Sequence, residues 1–328
     1  VTGLSADSVL VTGGAGYIGS HACKALAAAG YRPVTYDSLV TGNRSAVRWG
    51  PFEHGDVGDI GRIIHVLQSY RPAAIMHFAA SAYVAESVAE PEKYYSNNVA
   101  GTLALMQAAR SCGVKKLVFS STCAIYGEPQ RMPIAEDAAQ DPINPYGRSK
   151  LMIERILQDY VRAYGMSATA LRYFNAAGAD PAGEIGEDHT PETHLIPLVL
   201  RSILCPEEPV TVFGADYSTA DGTCVRDFTH VSDIASAHVL ALQGFGSEAQ
   251  FRAFNLGTGS GHSVREILVM AECVSGKPAH AKFGSRRNGD PAELVADPAK
   301  ARRELGWQVR HSGLREILST AWSWMTRS

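Results

Sequence analysis

Along the first half of the chain, short apolar runs alternate with longer segments whose apolar residues recur every three to four positions. The runs at 9–11, 34–36, 74–78, 117–120 and 169–173 are β-branched or almost continuously apolar, as strands buried on both faces require. Between them, 20–29, 60–69, 99–112 and 149–164 carry the periodicity of amphipathic helices. This alternation predicts right-handed βαβ units, a parallel sheet and helices on both of its faces.

After about residue 178 the texture changes. Gly, Pro and acidic residues crowd 180–197, and a helical stretch runs on to residue 204. A strand at 210–213, an irregular polar segment at 215–223, a strand at 253–256 and a helix at 264–274 follow. The pattern reads as a smaller, partly interleaved lobe. It shows no repeat and no low-complexity linker.

The first strand leads straight into Thr12-Gly13-Gly14-Ala15-Gly16-Tyr17-Ile18-Gly19. Glycines at these places allow a tight turn, a close approach of backbone to pyrophosphate, and close packing of helix on strand. The helix that begins near Tyr17 offers free N–H groups and a positive dipole end to the phosphates. Asp37 stands 18 residues beyond Gly19, near the ~20 expected of a carboxylate on the adenine ribose. A carboxylate there repels a 2′-phosphate and favours NAD over NADP, with Arg44 the one contrary residue. The expected fold is therefore α/β, a doubly wound parallel Rossmann sheet with a smaller mixed α/β substrate-binding lobe. The expected division is an NAD-binding domain over 1–180, with a returning segment at about 231–258, and the lobe over 181–230 and 259–328.

Tyr146 and Lys150 lie four apart in Tyr146-Gly147-Arg148-Ser149-Lys150, so one helical face carries both. A phenol has a pKa of ~10 and is a poor base at neutral pH. A neighbouring ammonium and an oxidised nicotinamide would favour its phenolate. A Tyr/Lys pair alone is commonplace on helices. Here it follows by 24 residues a strand that ends at Thr122, and ends of such strands face the cofactor. The hydroxyl of Thr122 is thus placed to bond a substrate hydroxyl beside Tyr146.

Charge and composition narrow the partners. A formal net charge of −3, with basic residues scattered, gives no stripe for nucleic acid. No apolar run approaches the ~18 residues of a membrane span, and the first seven residues lack the n- and h-regions of a secretory signal. The six cysteines include no CxxC pair, so reduced thiols and a cytoplasmic location are expected. His189 and His194 are five apart in a Pro-containing stretch, poor spacing for one helical face, and no metal is expected.

The motifs TGGAGYIGSH (12–21), HFAA (77–80), YYSNNVAGT (94–102), FSST (119–122), YGRSK (146–150), LRYFNAAGA (171–179), DGTCVRDF (221–228), NLGTG (255–259) and RRNGD (286–290) occur in this order. On these residues the chain resembles the extended short-chain dehydrogenase/reductase family and, within it, the UDP-glucose 4-epimerases. The resemblance covers nearly all of the chain. It implies a tightly held NAD and interconversion of UDP-glucose and UDP-galactose through a 4-keto sugar. By the same resemblance Gly13, Gly16, Tyr17, Ile18, Gly19, Asp37, Ser38, Asp56, Val57, Phe78, Ala79, Ala80, Asn97, Tyr146, Lys150, Tyr173 and Phe174 hold the cofactor. Thr122, Tyr146, Asn175, His194, Leu195, Val212, Phe213, Arg226, Arg287, Asp290 and Leu294 meet the substrate. Two guanidinium groups suit a diphosphate that must stay clamped while the sugar turns; the plain alternative for Arg226 and Arg287 is surface pairing with Asp227 or Asp290. The resemblance also implies a homodimer built on the helices at 99–112 and 149–164.

Four departures matter. Thr122 stands where many members have serine, Ala82 where lysine is frequent, and His194 where asparagine is. Leu294 replaces a bulky tyrosine found in some members, which leaves room for N-acetylated sugars. A nucleotide-sugar 4,6-dehydratase would resemble the chain but carries Thr-Asp-Glu where this chain has Thr122-Cys123-Ala124, and without carboxylates elimination lacks its proton-transfer groups. A UDP-pentose or UDP-N-acetylhexosamine 4-epimerase shares the same chemistry. A non-catalytic NAD-binding scaffold protein would have no need of Tyr146 and Lys150.

Overall fold

A computed structural model describes residues 7–287 and 290–327. The first six residues, on which the reading of no secretory signal partly rests, and residues 288 and 289 of the RRNGD motif lie outside the described residues.

Seven parallel strands form the main sheet: β1 (Ser8–Thr12), β2 (Arg32–Asp37), β3 (Phe52–His54), β4 (Ala74–His77), β5 (Lys116–Thr122), β6 (Ser167–Tyr173) and β7 (Phe251–Leu256). Their order is β7-β6-β5-β4-β1-β2-β3, so the direction of winding reverses between β1 and β4. Such a switch point opens a crevice at the C-terminal strand ends. The period of two along β1 explains the layers. Val9 and Val11 pack on one side with α1 (Tyr17–Ala28) and α6 (Val231–Gln243), and Leu10 packs on the other with α2 (Ile60–Tyr70), α3 (Gly101–Ser111) and α4 (Pro145–Tyr164).

The smaller lobe holds short strand pairs. Asn175–Ala177 runs parallel to Phe228–His230, and Val210–Phe213 parallel to Ala281–Gly284. Val225–Arg226 sits between His262–Ser263 and Glu293–Leu294. Its core joins α5 (Leu195–Leu204), α7 (Val264–Ser275) and α8 (Leu314–Met325) through residues such as Val199, Leu200, Ile267 and Ile317. A capping box of Ser263 and Glu266 starts α7.

Local chemistry sets the ends of α4. Asn144 accepts the Gly147 N–H at 2.8 Å, Pro145 occupies the first turn, and Gly165 closes the helix with φ 65°. The helix therefore begins four residues earlier than its apolar pattern predicts, and Tyr146 falls in its first turn. Tyr95–Ala100 forms a π-helical turn ahead of α3, so the helix expected from residue 99 has a distorted entry. There Asn98 is buried, accepting the Ser81 N–H and donating to Ser149.

Buried histidines give the fold a pH dependence. Burial holds His21 and His238 down to about 4 and His77 to about 3, against ~6.5 for a free imidazole. As pH falls from ~6.5 towards these values the unfolded chain takes up protons that the folded chain refuses. Stability then drops by about 1.4 kcal/mol per pH unit for each such histidine. The urea midpoint should be clearly lower at pH 5.5 than at pH 7; equal midpoints would contradict this reading.

Candidate active site

A cleft of about 1290 Å³ crosses the switch point and runs into the smaller lobe. That exceeds the ~300–1,000 Å³ of a usual small-ligand pocket and leaves room for a dinucleotide and a nucleotide-sugar end to end. Every cofactor and substrate position expected from the sequence lines it: Gly13 to Asn97 at the dinucleotide end, Tyr146, Lys150, Thr122, Tyr173 and Phe174 at the middle, and Asn175 to Leu294 at the lobe end.

The turn after β1 fits a dinucleotide. Gly13 has φ 73°, and a Cβ on it would stand 2.5 Å from the Ala79 backbone nitrogen. A Cβ on Gly19 would stand 2.1 Å from the Gly13 carbonyl oxygen, so the helix can pack this closely only with glycine. No side chain caps the start of α1, which leaves its N-terminus open to the cleft for phosphate. Asp37 ends β2, where it accepts the Ala15 N–H at 2.9 Å and the Leu39 N–H at 2.8 Å, and burial raises its pKa. Arg44, the contrary residue, stacks on the Phe52 ring at 4.6 Å.

At the middle, β5 and α4 bring Thr122, Tyr146 and Lys150 together. The Lys150 ammonium is 2% exposed, donates to the Ser120 carbonyl at 2.8 Å and lies 5.9 Å from the centre of the Tyr146 ring. Burial brings its pKa down to about 7, against the pull of Glu154 one turn on. Burial also pushes Tyr146 up to about 12, partly offset by the Thr122 hydroxyl. In the protein alone the phenol is therefore less acidic than usual. Cys123 and Ala124 follow Thr122 at the cleft wall and bring no carboxylate.

At the lobe end, Arg226 pairs with Asp290 and donates to its neighbour Val225's carbonyl at 2.8 Å. Asp227 points away, taking N–H groups of Thr258, Gly259 and Ala296. The Arg287 guanidinium stands over the Phe213 ring, 3.9 Å from its centre. Leu294 is level with Arg226 on the neighbouring strand.

Residues 9–257 match the model of the NAD dependent epimerase/dehydratase family. The chain belongs to that family. Within it, the chain is 50% identical over 325 residues to a UDP-glucose 4-epimerase of Rhizobium leguminosarum bv. trifolii, covering 99% of each. The crystal structure of UDP-glucose 4-epimerase from Brucella ovis in complex with NAD superposes with a TM-score of 0.94 at 51% identity, covering 97% of this chain and 98% of that one. That of UDP-glucose 4-epimerase from Stenotrophomonas maltophila, with bound NAD and formylated UDP-arabinopyranose, gives 0.93 at 40% identity and 97% coverage of both.

Glu187 and Glu192 were not singled out from the sequence, and His189 was set aside as a metal ligand, yet all three line the same cleft. Metal ligands were expected only at helical spacing, whereas a loop brings these residues and His194 together. The alternation of carboxylate and imidazole in Glu187-Asp188-His189-Thr190-Pro191-Glu192-Thr193-His194 was the available signal.

Proposed function

We propose that this chain is an isomerase that interconverts UDP-glucose and UDP-galactose at C4, using NAD. The carrying observation is the meeting of Tyr146, Thr122 and Lys150 midway along one cleft, between the glycine turn and the Arg226/Arg287 pair.

Bound NAD would supply an acceptor that takes the C4 hydride and returns it to the other face of the same carbon, together with a positive charge while oxidised. Tyr146 takes the 4-hydroxyl proton as the carbonyl forms and gives it back on reduction. Thr122 holds that hydroxyl in line with the phenol. Moving the phenol from about 12 to about 7 takes roughly 7 kcal/mol of differential stabilisation. One cation at 4 Å gives only about 4 kcal/mol near a protein surface. The Lys150 ammonium is therefore insufficient alone, and two positive charges are needed. Arg226, held by Asp290, and Arg287 grip the diphosphate while the 4-keto sugar turns. With NAD well below substrate concentration, NMR should show UDP-galactose converting to a mixture with UDP-glucose; consumption only in step with NAD would overturn the reading.

Leu294 is half-buried and lines the lobe end of the cleft, where its side chain is smaller than a tyrosine's. UDP-N-acetylglucosamine should therefore also be turned over; its failure beside good turnover of UDP-glucose would refute this. We further infer a homodimer. Met152 and Tyr164 on α4 remain 45% and 46% exposed, an apolar surface for a second copy. Sedimentation at micromolar concentration should give a dimer, and a lone monomeric species would exclude it.

Among the described residues no helix is long and apolar enough to cross a membrane.

A further inference from the structure

The segment leading into α5 carries a second set of chemical groups that the epimerisation does not use. Glu187, His189, Glu192 and His194 each offer one donor atom, and the four atoms lie within 4.8 Å of one another. His194 Nδ1 is 2.8 Å from Glu187 Oε1 and 2.9 Å from Glu192 Oε1. His189 Nδ1 is 3.2 Å from Glu187 Oε1 and 3.9 Å from Glu192 Oε2.

Hydrogen bonds do not account for this crowd. One imidazole N–H serves one acceptor, and that of His194 reaches Glu192. Glu187 Oε1 and His189 Nδ1 are closed off from solvent and make no well-aligned hydrogen bond, although two imidazole nitrogens crowd that oxygen, and the Glu187 side chain is only 7% exposed. Both atoms face the middle of the cluster.

The cluster is also held in place from behind. The Trp324 indole N–H donates to the Glu187 carbonyl at 2.9 Å. The Trp324 ring lies so close to Gly186 that a Cβ there would stand 2.4 Å from it. The rings of Tyr17 and Tyr83 stand edge-on to His189 at 6.3 and 6.2 Å.

We propose that Glu187, His189, Glu192 and His194 form a binding site for one divalent transition-metal ion, with Zn²⁺ the best fit. Two carboxylates balance its charge, and two imidazoles select against Ca²⁺ and Mg²⁺, which take oxygen ligands. Zinc bonds of ~2.0–2.2 Å in a tetrahedron set donor atoms roughly 3.3–3.6 Å apart. The contacts of 2.8 to 3.9 Å straddle that range, and the widest separation, up to 4.8 Å, would have to close by about 1 Å to complete the shell. All four residues line the cleft wall, and His194 immediately precedes α5. The ion would fasten this loop to α5 along the cleft wall, beside Tyr17 and Tyr83. In this arrangement His194 is a metal ligand and not the substrate contact expected from its sequence position.

The rival state is a proton in place of the metal: desolvation of the half-exposed His194 ring opposes its charge, but Glu187 and Glu192 lift its pKa to about 10. Titration of chelator-treated, tag-free protein with Co²⁺ separates the two. The proposal expects the visible absorption of tetrahedral Co²⁺ to saturate at one equivalent and to vanish on adding Zn²⁺. Changing a residue that merely hydrogen-bonds to a metal ligand already costs about 10–100-fold in metal affinity, so His189→Ala and Glu192→Gln should each weaken Co²⁺ binding by about a hundredfold or more. X-ray absorption of the Zn²⁺-loaded wild type, which needs no variant to fold, should show two imidazole ligands. No one-equivalent binding, unchanged affinity in both variants, or fewer than two imidazoles would overturn the proposal in favour of the proton-held cluster.

Discussion

Replacing Tyr146 with phenylalanine should leave a folded protein that still binds NAD but converts UDP-galactose about 10²–10⁴-fold more slowly, the range usual for loss of a general acid–base group. The substitution removes one oxygen. Its ring remains packed edge-on to Tyr94, 6.4 Å between centroids, so the loss reports chemistry and not collapse. Steady-state rates with an NAD-binding control check this. Turnover near that of the wild type would mean that another group carries the proton, and would return the non-catalytic scaffold reading to contention.

Arg172→Met should destabilise the fold by about 3–5 kcal/mol, the usual cost of orphaning one member of a buried ion pair. The Arg172 and Glu154 side chains are 3% and 1% exposed and bond bidentately, Nε to Oε1 at 3.0 Å and Nη2 to Oε2 at 2.6 Å. Arg172 also donates to the Tyr126 hydroxyl at 2.8 Å, while Glu154 accepts the Ser121 hydroxyl at 2.6 Å. Removing the guanidinium strands a carboxylate in the interior, four residues from Lys150. Adding Glu154→Leu should recover much of the loss, because an apolar pair of similar volume avoids the desolvation penalty. Urea unfolding of the single and double variants measures both effects. An unchanged midpoint in Arg172→Met would show that the pair adds nothing to stability.

Much of the main sheet was legible because its inner strands are buried on both faces and therefore continuously apolar. Strand β3 was not: Phe52-Glu53-His54 is short, lies at the sheet edge, and carries a charged Glu53 that pairs with Arg62 and Tyr70 on α2. The π-helical turn before α3 was also hidden, since a single slipped turn barely disturbs an apolar period. In the site, residue chemistry alone pointed to Gly13, Gly16, Gly19, Asp37, Thr122, Tyr146 and Lys150. The lobe positions, such as Leu195 and Phe213, came from resemblance, because a hydrophobic residue on a short strand has no chemical signature of its own. The electrostatics of the pair in the protein alone were not legible, even in direction. Sequence shows an ammonium beside a phenol, and burial reverses the expected result by raising Tyr146 and lowering Lys150.

The central claim is that one carbon loses and regains the same hydrogen while Tyr146 handles only the hydroxyl proton. UDP-galactose carrying deuterium at C4, incubated with the protein in ordinary water, tests it directly by NMR. The account predicts UDP-glucose with the deuterium still at C4. Product with solvent hydrogen at C4 would contradict it, because the C–H bond would then have broken to release a proton.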